Sequence, residues 1–581
     1  MNRKQRRAAL KHSPSAGGMR SGPTSDPASQ MFAEAVRHQQ QNKLNDAARA
    51  YKRLLLLKPD HAQASNNLGL VLQAQGKLNE ASARFAQALA IMPQLFDQFQ
   101  GVCATLVAVL PPLGEAIRNT VAAWPQRLPV DQLLGRSGLA AIAGDPLLLC
   151  LLQSVAVRDV ALERTLTSLR AALLVDAGQA VEDRVLAFCC ALAKQCFINE
   201  YVFATTPDED AQVERRKAAL GDAIAAGAEI APMQLAALAM YWPLHALPNA
   251  DALLARAWPP ALADLLTQQL REPLQERALR ASIARLTAID DEVSLRVQQQ
   301  YEANPYPRWV HAAGQVVPTT IDRYLYDMFP TALVTPLAET DAIEVLVAGC
   351  GTGWHAVEFA QKFDGVRVLA ADLSLSSLSY AKRNTPAALA GRIDYAQADI
   401  LKLASLGRSF DVIDASGVLH HMADPAQGWR SLLTLLRPRG LMHLGFYSEL
   451  GRRDVVAARA FIAERGYGST PAEIRRCRQD LLDTPLRRLA RFSDFFSTSE
   501  CRDMLFHVQE SRLTIPAIKS FLAEHALRFL GFEFDAATSQ KYRALFTNAG
   551  WSMTDLDRWH ALETNYPDTF SSMYQLWAQK G

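Results

Sequence analysis

The chain is 581 residues long, with 61 basic against 59 acidic side chains, a formal charge of +2 and 49% hydrophobic residues. So even a charge balance excludes a protein whose main task is to coat nucleic acid, and so much apolar content excludes a disordered chain. At about 150 residues per domain, the length predicts roughly four domain-sized units.

The longest nearly uncharged apolar stretch, Leu147 to Val157, is far short of the ~20 residues that cross a bilayer, and no membrane association is predicted. No charged-then-apolar signal segment opens the chain. Eight cysteines without regular spacing predict reduced thiols and a cytoplasmic location. Residues 1–28 read as a disordered basic tail carrying Arg3, Lys4, Arg6, Arg7 and Lys11. Such a tail is a weak, salt-sensitive nucleic-acid arm, a targeting segment or a solvated terminus; the last is the expectation, with no specific nucleic-acid partner.

Residues 29–125 carry an internal repeat. Lys43-Leu-Asn-Asp-Ala-Ala and Lys77-Leu-Asn-Glu-Ala-Ser keep one offset, as do Tyr51/Phe85 and Pro59/Pro93, 34 residues apart (93 − 59). Leu68, Gly69, Ala81, Phe85, Ala88 and Pro93 follow the pattern of a helix–turn–helix unit of that period, and a degenerate third unit is expected from Phe96 to Trp124. The segment resembles an α-helical tetratricopeptide (TPR) solenoid, which implies recruitment of a protein or peptide. Residues 126–295 are Ala/Leu-rich with helical spacing and predict a continuing α-helical region. Cys189, Cys190 and Cys196 lie here without a Cys-x-x-Cys pair and are read as packing residues, and no metal site is predicted.

Residues 296–340 form a Pro/aromatic connecting segment. Pro305 and Pro307 stiffen the path and display Tyr306, Arg308 and Trp309, either as a plug in a groove or as a wall of a substrate pocket.

From 341 to 581 strand and helix signals alternate. Strands are expected at Ile343–Ala348, Val366–Ala371, Arg392–Gln397, Phe410–Ala415 and Leu441–Phe446, then at Arg528–Phe534 and Met573–Lys580. This predicts an α/β doubly wound, seven-stranded Rossmann-like sheet with ligands at the carboxyl ends of its strands. About 451–514 is a helical insertion, read as a cap over an acceptor pocket. It supplies Arg502, Asp503, His507 and Glu510, of which 503/507 and 507/510 stand at i,i+4 and i,i+3 spacing, either as surface charges or as lid contacts, and His507 is taken as a substrate candidate.

The glycines choose the ligand. Gly349, Gly351 and Gly353 are followed by Trp354, where a nicotinamide fingerprint carries its third glycine. With Asp372 after the second strand, Asp399 after the third, Ser416-Gly417 after the fourth, the Val418-Leu-His-His421 run and the Arg437-Pro-Arg-Gly440 turn, residues 343–446 resemble a class I S-adenosylmethionine-dependent methyltransferase. The resemblance implies S-adenosylmethionine as co-substrate. Gly349, Gly351 and Gly353 would pass beside its methionine moiety, Asp372 would take the ribose hydroxyls, and Asp399 and the Ile400 amide the adenine. Ser416 and Gly417 would flank the donor. The acid that usually stands two residues before the first glycine is replaced by Val347, with Glu344 the nearest alternative. His420 and His421 are the candidate bases for a nitrogen or oxygen acceptor of unidentified kind. The alternatives are a repeat scaffold with a non-catalytic domain of this fold, and a nicotinamide oxidoreductase, which the glycine spacing opposes.

Overall fold

The computed structural model describes residues 27–92, 102–175, 181–310, 312, 317–337, 342–546 and 552–581. The expected tail lies outside the described residues except for Pro27 and Ala28, and so does the start of the expected third repeat. The chain divides into two compact units. One comprises Met1–Gln195, Glu229–Met240 and Pro259–Leu262; the other comprises Cys196–Ala228, Tyr241–Trp258 and Ala263–Gly581. The division falls at Gln195/Cys196 and again between 228 and 263, within the stretch expected as one α-helical region over 126–295. Among the described residues no single helix is long and apolar enough to cross a membrane.

The first unit opens with α1 (Pro27–Gln40), α2 (Leu44–Leu57), α3 (Ala62–Ala74) and α4 (Leu78–Ile91). α2 and α4 start at equivalent points of the repeat, after Lys43 and Lys77, neither of which caps its helix with a side chain. Tyr51 and Phe85, the repeated aromatics, are both buried. Gly69 on α3 lets α4 approach: a Cβ there would lie 2.6 Å from the Phe85 ring. Tyr51 Oη donates to Gln39 Oε1 at 2.6 Å and accepts from Asn67 Nδ2 at 3.2 Å, tying α1, α2 and α3 together.

The second unit is built on one eight-stranded sheet. Its strands are β1 (Ala284–Arg285), β2 (Ile343–Ala348), β3 (Val366–Asp372), β4 (Ile393–Gln397), β5 (Phe410–Ser416), β6 (Leu436–Phe446), β7 (Leu527–Phe532) and β8 (Tyr574–Lys580). The order is β1-β4-β3-β2-β5-β6-β8-β7, with β8 antiparallel between β6 and β7 and the remaining pairs parallel. The seven expected strands are β2–β8, and β1 is an addition: Ala284 and Arg285 pair with Ala396 and Gln397 at the sheet edge. Two exposed residues carry no periodicity that a sequence reading could catch.

Both faces of the sheet are covered, so β2 and β5 are largely apolar, interrupted by Glu344 in β2 and by Asp411 and Asp414 in β5. Leu346, Ile413, Leu444 and Trp429 lie in one core; Val345, Val347, Val368 and Val412 lie in the other. Helices α5 (Glu292–Ala303), α6 (Trp354–Lys362), α7 (Leu375–Asn384) and α8 (Pro425–Thr434) alternate with these strands. The insertion after β6 is helical as expected, with α9 (Arg453–Arg465), α10 (Pro471–Leu482) and α11 (Thr498–Phe506). The four charges singled out there are not on the surface of one helix: Arg502 and Asp503 are buried, and α11 ends before His507, so His507 and Glu510 share no helix face.

Candidate active site

At the carboxyl ends of β2–β5 lies a cavity of about 260 Å³. The β2–α6 turn forms its floor. The Gly349 and Cys350 amides both donate to Ala371 O, at 2.8 and 2.9 Å, and pin the turn to β3. Gly349 and Gly351 have φ of +70° and +52°. A Cβ on Gly349 would lie 2.4 Å from Val418 Cγ1, and one on Gly351 would lie 2.7 Å from the Tyr306 carbonyl oxygen. These glycines are thus required by the chain's own packing, beyond the room for a ligand that the sequence reading assigned them. Gly353 caps α6 against Ala381 and does not line the cavity.

Two acids complete the floor. Asp372 Oδ2 accepts from the Gly351 amide and Oδ1 from the Ser374 amide, each at 2.8 Å, so the carboxylate faces the glycine turn. Burial raises its pKa against the pull of these amides. Asp399 is 1% exposed; Oδ1 accepts from the Leu401 amide at 2.9 Å, while Oδ2 is buried with no protein partner. An unpartnered buried carboxylate oxygen on a cavity wall is costly unless a ligand donor meets it. Asp372, Asp399, Ile400, Ser416 and Gly417 all line the cavity. Glu344 does not: it pairs with Arg408 at 3.3 Å, at the far end of β2.

The two candidate histidines separate. His420 is 0% exposed, does not line the cavity and stacks on Tyr447 with ring centroids 3.9 Å apart; burial drives its imidazole well below the ordinary range. His421 lines the cavity, and its Nδ1 lies 2.8 Å from Gln509 O. A carbonyl can only accept, so the ring hydrogen sits on Nδ1 and the lone pair on Nε2.

Of the side chains displayed around 306–309, Tyr306 lines the cavity, beside Pro307, whereas Arg308 and Trp309 do not. Arg308 is turned to Glu200, 2.9 Å away, and so serves as a brace. Trp309 donates from its indole to Thr352 O at 3.0 Å and meets Trp354 edge-on, which supports the glycine turn from behind. His507 stacks on His421 at 3.7 Å without lining the cavity; burial, helped by the His421 imidazole, pushes its pKa down to about 2.

Several wall residues were not site candidates in the sequence reading: Tyr301 on α5, Tyr447 and His355, the second residue of α6, line the cavity, and so does Asp503, which spacing had offered only as a surface charge or a lid contact. Asp414, buried in β5, sits 3.6 Å from His355 Nδ1 and 3.5 Å from His443 Nδ1. Burial pushes His355 down, but the Asp414 carboxylate outweighs it and holds the imidazole at about 9. The signal that was available is the acid itself, one of two aspartates, with Asp411, buried within β5.

Residues 345–440 match the family described as a methyltransferase domain. This chain carries a methyltransferase domain. An uncharacterized protein of Synechococcus sp. is 29% identical over 264 residues, which is 44% of this chain and 63% of that protein. A malonyl-[acyl-carrier protein] O-methyltransferase of Halalkalibacterium halodurans is 30% identical over 18% of this chain and 39% of its own length. A ubiquinone biosynthesis O-methyltransferase of Albidiferax ferrireducens is 30% identical over 25% of this chain and 54% of its own. The chain thus spans less than two thirds of each of these relatives.

Proposed function

We propose that the protein transfers a methyl group from S-adenosylmethionine to a nitrogen or oxygen acceptor, and that the 34-residue helical repeats of its first unit, read as tetratricopeptide repeats, recruit a protein or peptide. A cytoplasmic setting goes with this reading. The observation that carries the enzymatic part is the orphaned Oδ2 of Asp399, buried on the wall of a cavity whose floor is the Gly351 turn and Asp372. Asp399 Oδ2 fits an exocyclic adenine amine, and Asp372 keeps lone pairs on both oxygens for vicinal ribose hydroxyls.

S-adenosylmethionine supplies an electrophilic methyl group on a sulfonium. The chain's contribution is to align the acceptor with that methyl and to exclude water. Ser416 and Gly417 end β5 at the cavity without placing a cation there. His421, with Nδ1–H held by Gln509 O, offers Nε2 as the base that takes the acceptor's proton. His420, buried away from the cavity, holds the loop through its backbone, whose carbonyl accepts from the Ser511 amide at 2.7 Å.

Calorimetry with S-adenosylhomocysteine and with NAD tests the reading. Binding of the first alone is the expected result; binding of NAD, or of neither, refutes it. For the repeats, deleting α1–α4 is expected to abolish capture of a partner while leaving S-adenosylhomocysteine binding intact.

A further inference from the structure

Beside the donor cavity runs a chain of hydrogen bonds that methyl transfer in general does not need. The Gln509 amide donates to His507 Nδ1 at 3.0 Å, so the remaining ring hydrogen of a neutral His507 sits on Nε2. That nitrogen is 3.2 Å from Tyr301 Oη, which donates onward to Asp503 Oδ1 at 2.5 Å. All three bonds point the same way and end on a carboxylate that is 3% exposed and lines the cavity. The Gln509 peptide thus sets both tautomers: its N–H fixes His507 as a donor, and its C=O fixes His421 with a free Nε2.

Asp503 has no fixed counter-ion. Among the described residues neither lysine nor arginine pairs with it; the nearby Arg452 is 2.7 Å from Glu510 and lies over the Tyr447 ring at 3.6 Å. A buried carboxylate in this state lacks a cation. His421, Asp503 and His507 each offer an atom within 4.8 Å of the others, close enough to hold a metal ion. A metal does not fit the tautomers, because His507 Nδ1 is taken by an amide hydrogen and its Nε2 carries a proton. Two ligands would remain, where catalytic metals keep about three. The rings of Tyr301 and Tyr306, 6.3 Å apart between centroids and 24° from parallel, line the same cavity, and aromatic faces attract organic cations.

Resting on the methyltransferase reading above, we propose that the acceptor is a primary or secondary amine that enters as its ammonium ion, with Asp503 as the anion that binds it. A carboxylate or phosphate acceptor would bring a like charge against Asp503, and an alcohol would leave that charge uncompensated. The ammonium nitrogen gives one proton to His421 Nε2, which becomes an imidazolium. The freed lone pair forms the new nitrogen–carbon bond as the methyl–sulfur bond breaks. The sulfur keeps the electron pair of the broken bond and leaves as a neutral thioether, and the positive charge it loses appears on the methylated amine. Asp503 therefore holds a cation before and after transfer.

The test titrates the full chain, loaded with S-adenosylhomocysteine, with n-butylamine, 1-butanol and butyrate at neutral pH. Butylamine is expected to bind at least ~10-fold more tightly than butanol, and butyrate not to bind, as a charge-assisted hydrogen bond implies. Asp503→Asn should erase the preference while S-adenosylhomocysteine still binds, and Tyr301→Phe should reduce it. Butanol or butyrate binding as well as the amine would overturn the proposal. So would a preference that survives Asp503→Asn, or EDTA-reversible binding of Mn2+ or Zn2+ that the variant removes. If Asp503→Asn fails to fold, the wild-type series still decides. Failure of S-adenosylhomocysteine to bind the wild type would instead strike the donor assignment.

Discussion

Replacing Gly351 by alanine tests whether the glycine turn and the donor floor are one structure. Gly351 has φ of +52°, where an L-residue costs ~1–2 kcal/mol. The new Cβ would also lie 2.7 Å from the Tyr306 carbonyl oxygen, a backbone atom flanked by Pro305 and Pro307 and unable to swing aside like a side chain. Overpacking of this kind adds ~1–3 kcal/mol, for a total of ~2–5 kcal/mol. Gly365 is the internal control: its φ is +66° and nothing lies within 4 Å of its Cβ position, so Gly365→Ala should cost only the conformational ~1–2 kcal/mol. Urea denaturation followed by tryptophan fluorescence reports on the second unit, where Trp429, Trp559 and Trp577 are buried. Because the Gly351 amide also holds Asp372, S-adenosylhomocysteine affinity should fall ~10-fold or more in Gly351→Ala and stay unchanged in Gly365→Ala. Equal destabilisation by the two variants, with donor affinity intact in both, would refute the argument.

Other consequences are as direct. Asp399→Asn cannot replace the acid: one oxygen must still accept from the Leu401 amide, which leaves an NH2 facing the adenine amine, so calorimetry should show S-adenosylhomocysteine affinity down ~10-fold or more; an affinity within ~2-fold would remove Asp399 from the donor site. His355, held at about 9 by Asp414 against burial, adds stability that is complete below the ordinary histidine value of ~6.5 and is lost as pH rises through about 9. Denaturation midpoints of the wild type should therefore drop between neutral and alkaline pH by more than those of His355→Gln; parallel profiles would contradict the pairing. In the first unit, Gly69→Ala must push Phe85 aside from 2.6 Å and should destabilise it by ~1–3 kcal/mol in denaturant titrations, whereas a neutral or stabilising outcome would mean that α3 and α4 are less closely seated.

What could be read from the sequence and what could not divide along a physical line. β2–β6 were legible because each is a buried apolar run bounded by turn residues, and Asp372 and Asp399 were legible because they fall at the ends of those runs. β2 was placed at its observed bounds, Ile343–Ala348. The fifth predicted strand began five residues late, since Arg437-Pro-Arg-Gly440, read as a turn, lies within β6, with Arg439 at φ +61° absorbing the irregularity. Arg308 and Trp309 have the residue types of a substrate wall, yet their partners, Glu200 and Thr352, lie far away in the chain, and no local pattern reports a tertiary partner. Asp503 shows the converse. Spacing alone put it among charges shared by one helix face, whereas packing buried it and aimed it into the cavity.

The sharpest case is the histidine pair. A Val-Leu-His-His run offers two imidazoles with one unperturbed chemistry, and sequence has no means of ranking them. The fold ranks them through a single peptide group: Gln509 O accepts the Nδ1 hydrogen of His421 and leaves its Nε2 basic, while His420 turns into the ring stack with Tyr447. Since a backbone carbonyl does this work, every side chain at position 509 other than proline would preserve the peptide group. Gln509→Ala should thus leave the His421 tautomer, read from imidazole 15N shifts in histidine-labelled protein, unchanged, whereas Gln509→Pro removes the N–H that holds His507 and should alter the His507 spectrum first. A Gln509→Ala variant with the His421 hydrogen moved to Nε2 would show that the side chain, and not the peptide, selects the base.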